Sequence, residues 1–81
     1  MNPLTRIPVD SSMLSAVGYD EEEKILYAEF SNTGKIYAYP EVPKEEFEAL
    51  LKADSIGRFM RNEIIPAFTG FVIQRGKDIR W

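Results

Sequence analysis

The chain has 81 residues, room for one domain with one small core. Apolar residues make up 44% and charged residues 28%, proportions of a folded globular chain rather than a disordered one. There is no cysteine and no histidine. That excludes disulfide staples and thiolate chemistry, excludes Ser-His-Asp and Cys-His catalysis, and argues against zinc. Net charge is −3, which does not favour general attraction to nucleic acid or anionic membrane. The halves differ, however. Residues 1–50 carry four Lys/Arg against ten Asp/Glu, and residues 51–81 carry six against three. The longest apolar runs are only a few residues, such as Phe71-Val72-Ile73, so neither a membrane span nor a signal segment is expected, and the protein is read as cytoplasmic.

Pro3 and Pro8 are the first turn signals. Arg6–Val9 reads as a short extended piece suited to a sheet edge, because Pro8 lacks a ladder donor. Asp10-Ser11-Ser12 is a turn cluster, and Leu14–Tyr19 is a strand. After a polar turn over Asp20–Glu23, Lys24–Phe30 is the clearest strand. Leu26, Ala28 and Phe30 alternate on one face, with Ile25 and Tyr27 on the other. Ser31–Gly34 is a hairpin loop in which Gly34 supplies a positive φ. Lys35–Tyr39 is the next strand, with Tyr37 and Tyr39 on one face, and Pro40 ends it.

Pro43 fits the first turn of a helix, and Glu45 and Glu46 complement its dipole. Phe47, Leu50 and Leu51 make one apolar stripe, and the helix stops near Ala53. Asp54 or Ser55 caps a second helix, in which Ile56, Phe59, Met60 and Ile64 recur at helical spacing until Pro66. Phe71–Arg75 adds a short strand that Gly76 breaks. The fold class is therefore α+β: an antiparallel meander of three to four strands, then two helices packing on one sheet face, with a short C-terminal strand.

The ordered set Ser11-Ser12, Leu14, Val17-Gly18-Tyr19-Asp20, Leu26, Phe30, Gly34, Tyr37-Ala38-Tyr39, Val42-Pro43, Leu50-Leu51, Ala53, Ser55, Gly57, Phe59 and Ile64 resembles the KTSC domain family. The family is named from the C-terminus of some lysyl-tRNA synthetases. The resemblance runs over residues 6–68 of a single domain at 1–81, leaving 69–81 as a C-terminal extension. It implies an RNA-binding role, by association with a tRNA-handling enzyme rather than by mechanism. The family pattern after Phe59 has an aromatic, an asparagine and several basic residues. Here the run is Met60-Arg61-Asn62-Glu63-Ile64-Ile65-Pro66-Ala67, so Arg58 and Arg61 are the cations that remain.

Tyr37 and Tyr39 are the leading binding candidates, since aromatics on a sheet face stack bases while nearby cations hold phosphates. Arg58, Arg61 and Lys35 would be those cations. The competing reading of the tyrosines is cross-strand packing. Ser55-x-Gly57 is either an anion site or a helix cap, and the neighbouring Asp54 favours the cap. Ser11-Ser12 beside Asp10 has no histidine to activate it and reads as a turn. Glu21-Glu22-Glu23 lacks the alternating ligands and glycine of a calcium loop. No phosphate-binding glycine motif occurs. No catalytic, cofactor or metal residue is therefore expected. Two functions stay open: a non-catalytic module that binds RNA or another nucleic acid weakly through Tyr37, Tyr39, Arg58 and Arg61, and a module for a protein partner or homodimer. Trp81 and Arg80 are a terminal pair of a kind common in interfaces.

Overall fold

The computed structural model describes residues 5–81; Pro3, read above as a turn signal, lies outside the described residues. Five strands form one antiparallel sheet in chain order: β1 (Ile7–Pro8), β2 (Leu14–Asp20), β3 (Ile25–Phe30), β4 (Ile36–Tyr39) and β5 (Phe71–Ile73). Between β4 and β5 come α1 (Lys44–Lys52) and α2 (Ile56–Phe59). The latter continues as a π-helical turn, Met60–Ile64. The expected meander of strands with two helices is present, extended by the two-residue β1.

Turn chemistry fixes the register. The Asp20 carboxylate accepts from the N–H groups of Glu22 and Glu23 at 3.0 and 3.1 Å, and Lys24 takes a left-handed φ of 57°. Lys24 therefore belongs to the turn and not to the strand. Tyr19 then faces Leu26, and Val17 faces Ala28. At the next hairpin Gly34 has φ 72°, where an L side chain is strained, and Phe30 N–H donates to Lys35 C=O at 2.9 Å.

Because side chains alternate along a strand, an apolar residue at every position gives a sheet with two apolar faces. Leu14, Val17, Leu26, Ala28 and Tyr39 form the first face, packed under Val42, Leu50, Met60 and Ile64. Leu14, Leu26, Leu50, Met60 and Ile64 are each fully buried, and burial of one such side chain stabilises by about 1.5–3 kcal/mol.

Helix α1 meets this face more narrowly than its pattern suggests. Pro43 stands just before the helix with extended backbone (ψ 152°) and not within its first turn. Phe47 stacks on Tyr19 with ring centroids 4.9 Å apart, and Leu50 is buried. Leu51, one residue further round the cylinder, turns outward. Ser55 caps α2, its hydroxyl oxygen accepting from Arg58 N–H at 3.3 Å. The second helix is not regular to its end. Ile65 N–H donates to Met60 C=O at 2.9 Å, five residues back. The wider turn buries Met60 and Ile64 together just before Pro66, which has no N–H to continue the ladder.

The second face is covered by the C-terminal extension, which sequence reasoning left without a role. After β5 a tight turn reverses the chain: Gln74 N–H donates to the Asp78 carboxylate, Asp78 N–H donates to Gln74 C=O, both at 2.8 Å, and Gly76 has φ 84°. Ile79 then joins Ile36, Ala38 and Ile73 in a second small core, flanked by Ile25, Tyr27 and Trp81. Trp81 lies over Gly18, where a Cβ would stand 2.6 Å from its ring. Glu29, the one buried charge of the described residues, sits on this face between two guanidinium groups. Arg6 donates to it at 3.0 and 3.4 Å, and Arg75 also bonds it. The hydrogen bond from Arg6 leads the effects that hold the Glu29 carboxyl below its ordinary pKa.

Candidate functional site

The leading binding candidates singled out by the sequence, Tyr37, Tyr39, Arg58 and Arg61, fall into two clefts. The first lies where the β1–β2 turn meets the start of α2. Ser11 shapes that turn: its hydroxyl oxygen accepts from Met13 N–H at 3.1 Å and Leu14 N–H at 3.3 Å, leaving its own O–H to donate elsewhere. Gly57 lets the helix approach the turn. A Cβ there would stand 3.2 Å from Met13 Cβ and 3.4 Å from Ser11 Oγ, so the backbones close together with almost no spare room. The cleft has a volume of about 490 Å³, and Ser11, Ser12, Ser55, Arg58 and Arg61 line it.

Arg58 and Arg61 are three apart, which puts them on one helix face. Both are exposed. The ion pairs among the described residues are Arg6–Glu29, Arg75–Glu29 and Lys44–Glu21, so neither cleft arginine has a carboxylate within pairing distance there. Asp10 and Asp54 also line the cleft, giving two cationic and two anionic side chains. Such a site holds a ligand by hydrogen bonds and local charge, not by a strong field. Four residues that carry the family resemblance, Ser11, Ser12, Ser55 and Gly57, come from two distant stretches of chain and meet here.

The tyrosines are elsewhere. Tyr37 and Tyr39 share the sheet face that the helices cover, and they line a second cleft of about 380 Å³ with Ile65–Gly70. Tyr39 is 4% exposed, packed into the core with its ring under Gly70. Burial, then the neighbouring Tyr37, raises its hydroxyl pKa. Tyr37 is half-buried. Its ring meets Phe30 edge-on at 5.2 Å and stacks on Tyr39 at 6.3 Å. The pair is thus a packed aromatic cluster and not an open platform, and Arg58 and Arg61 line the other cleft. Lys35 is exposed in the hairpin before β4, its backbone N–H donating to Thr33 Oγ1 at 3.2 Å.

Sequence reasoning read the serines singly, as turn and cap. Their convergence was invisible, because it needs the β1–β2 turn and α2 to be neighbours. Gly57, a glycine just after the Ser55 cap that permits close packing, was the one available signal. No group of three or more His, Cys, Asp or Glu among the described residues is arranged to hold a metal ion. No helix among them is long and apolar enough to cross a membrane.

A five-stranded antiparallel sheet with two helices on one face defines a small α+β domain of meander type. The chain matches the KTSC domain over residues 10–68 and belongs to that family. A protein of Tsukamurella paurometabola is 48% identical over 61 residues, covering 75% of this chain and 90% of the relative. An uncharacterized protein of Stutzerimonas stutzeri is 44% identical over 63 residues, covering 78% and 87%. The crystal structure of a KTSC domain protein from Yersinia pestis is similar with TM-score 0.83 at 32% identity, over 88% of this chain and 99% of that one. Both β5 and the strap formed by residues 74–81 lie outside the family match.

Proposed function

We propose that the domain is a non-catalytic, cytoplasmic binding module that holds single-stranded RNA weakly by its phosphates, with Arg58 and Arg61 as the cationic contacts. One observation carries the reading: two exposed arginines without a carboxylate partner among the described residues share a cleft with three serine side chains. Guanidinium and hydroxyl donors together suit phosphate oxygens. Tyr39 is buried and Tyr37 lies in the other cleft, so this reading leaves base stacking aside: affinity comes from the backbone and sequence preference is slight.

The test is an NMR titration of labelled protein with a single-stranded RNA oligonucleotide and with bulk tRNA, at low and at physiological salt. Amide shifts are expected at Ser11, Ser12, Ser55, Arg58 and Arg61. Two phosphate contacts on a single strand give a log–log salt slope of about −1.4. The double substitution Arg58→Ala, Arg61→Ala should abolish both the shifts and the slope while the fold is kept. No shift at low salt, where such binding is strongest, removes the RNA reading.

A further inference from the structure

The sheet has two ends, and they differ in what they offer another chain. At one end β1 is two residues long and contains Pro8, which has no backbone N–H to donate. At the other end β5 pairs with β4 on its inner side and with no strand among the described residues on its outer side. Monomeric proteins protect such an edge with charge, proline or a bulge. β5 is short, three residues, but Phe71-Val72-Ile73 carries no charge, proline or bulge, and the C-terminal strap crosses the second face to Gly18 instead of covering the edge.

The exposed apolar side chains gather at this end. Of the four large hydrophobic residues exposed among the described residues, Ile65, Phe71 and Val72 lie here, with Phe71 52% and Val72 49% exposed. Val72 stands opposite Tyr37 in the β4–β5 register, and Ile65 lines the cleft of Tyr37. Phe71, opposite Ala38, presents the other face of the same edge. Both faces of an unpaired edge are therefore apolar, the arrangement that marks an interface rather than scattered surface hydrophobes.

We propose that β5 pairs antiparallel with β5 of a second copy of this chain about a twofold axis, joining two sheets into one. Three features favour a second copy over a foreign peptide. The strand carries no charge, so it meets its own image without repulsion. Arg75, the nearest cation, is already paired with Glu29. The assembly also closes, because twofold pairing leaves only the Pro8-bearing β1 edges exposed, and these do not propagate it. The contact is small, so assembly is weak and follows concentration.

Sedimentation equilibrium of the full chain tests this from roughly 10 µM to roughly 1 mM, the range in which small interfaces assemble by mass action. The apparent mass should rise from 9.3 kDa toward twice that value. Val72→Lys should hold it at the monomer value, and Leu51→Lys, a change at another exposed apolar residue on α1, should leave association intact. Phe71→Glu is a second probe of the same edge should Val72→Lys disturb folding by circular dichroism. Intermolecular NOEs between differently labelled copies should connect Phe71 of one with Ile73 of the other. A monomer at the highest concentration overturns the proposal, as does a dimer lost with Leu51→Lys but not with Val72→Lys or Phe71→Glu.

Discussion

Alanine in place of Gly70 would put a Cβ into the face of the Tyr39 ring, with Cδ1 and Cζ both at 2.7 Å. Tyr39 is 4% exposed and belongs to the helix-side core, so its ring can retreat only toward the cleft it lines with Ile65–Gly70. Overpacking of this kind costs about 1–3 kcal/mol. The gain from a stiffer unfolded chain offsets only about 0.4–1 kcal/mol. We expect a net loss of about 1.3 kcal/mol, which for a domain this small lowers Tm by about 5–10 °C. Gly18→Ala is the matched control. Its Cβ would stand 2.6 Å from the Trp81 ring, but that side chain is only partly buried and can swing aside. That substitution should cost about 1 kcal/mol, roughly the value of one aromatic contact. It should also red-shift the fluorescence of the chain's single tryptophan. Thermal melts followed by circular dichroism, together with emission spectra, separate the two cases. A Gly70→Ala protein that melts within a couple of degrees of the parent refutes the rigid-wall argument. So does a Gly18→Ala protein that is the less stable of the pair with unshifted emission.

Glu29→Gln should destabilise by about 1–2 kcal/mol near neutral pH, since charged hydrogen bonds are lost but both arginine partners are partly solvated. The Glu29 carboxyl is held below its ordinary pKa, so its contribution is present above the unfolded value near about 4.3 and fades as pH falls through the lower folded value. Urea midpoints measured across that acid range should therefore converge for parent and variant; a constant gap would disprove the linkage. Ser55→Ala should cost about 1 kcal/mol by removing the acceptor of Arg58 N–H, and an unchanged urea midpoint would show that the cap contributes nothing.

Local patterns legible in the chain did become local structure. Gly34 supplies the positive φ expected of it, Ser55 caps α2, and Leu26 and Ala28 alternate toward the helices as their spacing requires. Each is decided within a few residues by backbone sterics, a side-chain acceptor or strand periodicity. Leu51 shows where such reading stops. Apolar spacing placed it inward with Leu50, but a nine-residue helix touching the sheet along one line buries only part of its stripe.

The candidate site divides in the same way. The residue types were legible: two arginines three apart, serines in turns, tyrosines two apart. Their grouping was not, because it depends on contacts between distant segments. Tyr39 joined the core because the 65–70 segment, with Gly70, closes over its ring. Arg58 and Arg61 met Ser11 and Ser12 because Gly57 admits the β1–β2 turn. Glu29 looked like an ordinary charge in an alternating strand, and its partners Arg6 and Arg75 lie 23 residues before it and 46 residues after it. By itself, the sequence determined the α+β class, the strand meander, the caps and the absence of histidine and cysteine chemistry. Tertiary structure alone decided which apolar face received the strap, which sheet edge stayed open and which polar groups share a cleft. Those outcomes depend on long-range packing, and local propensity carries no information about it.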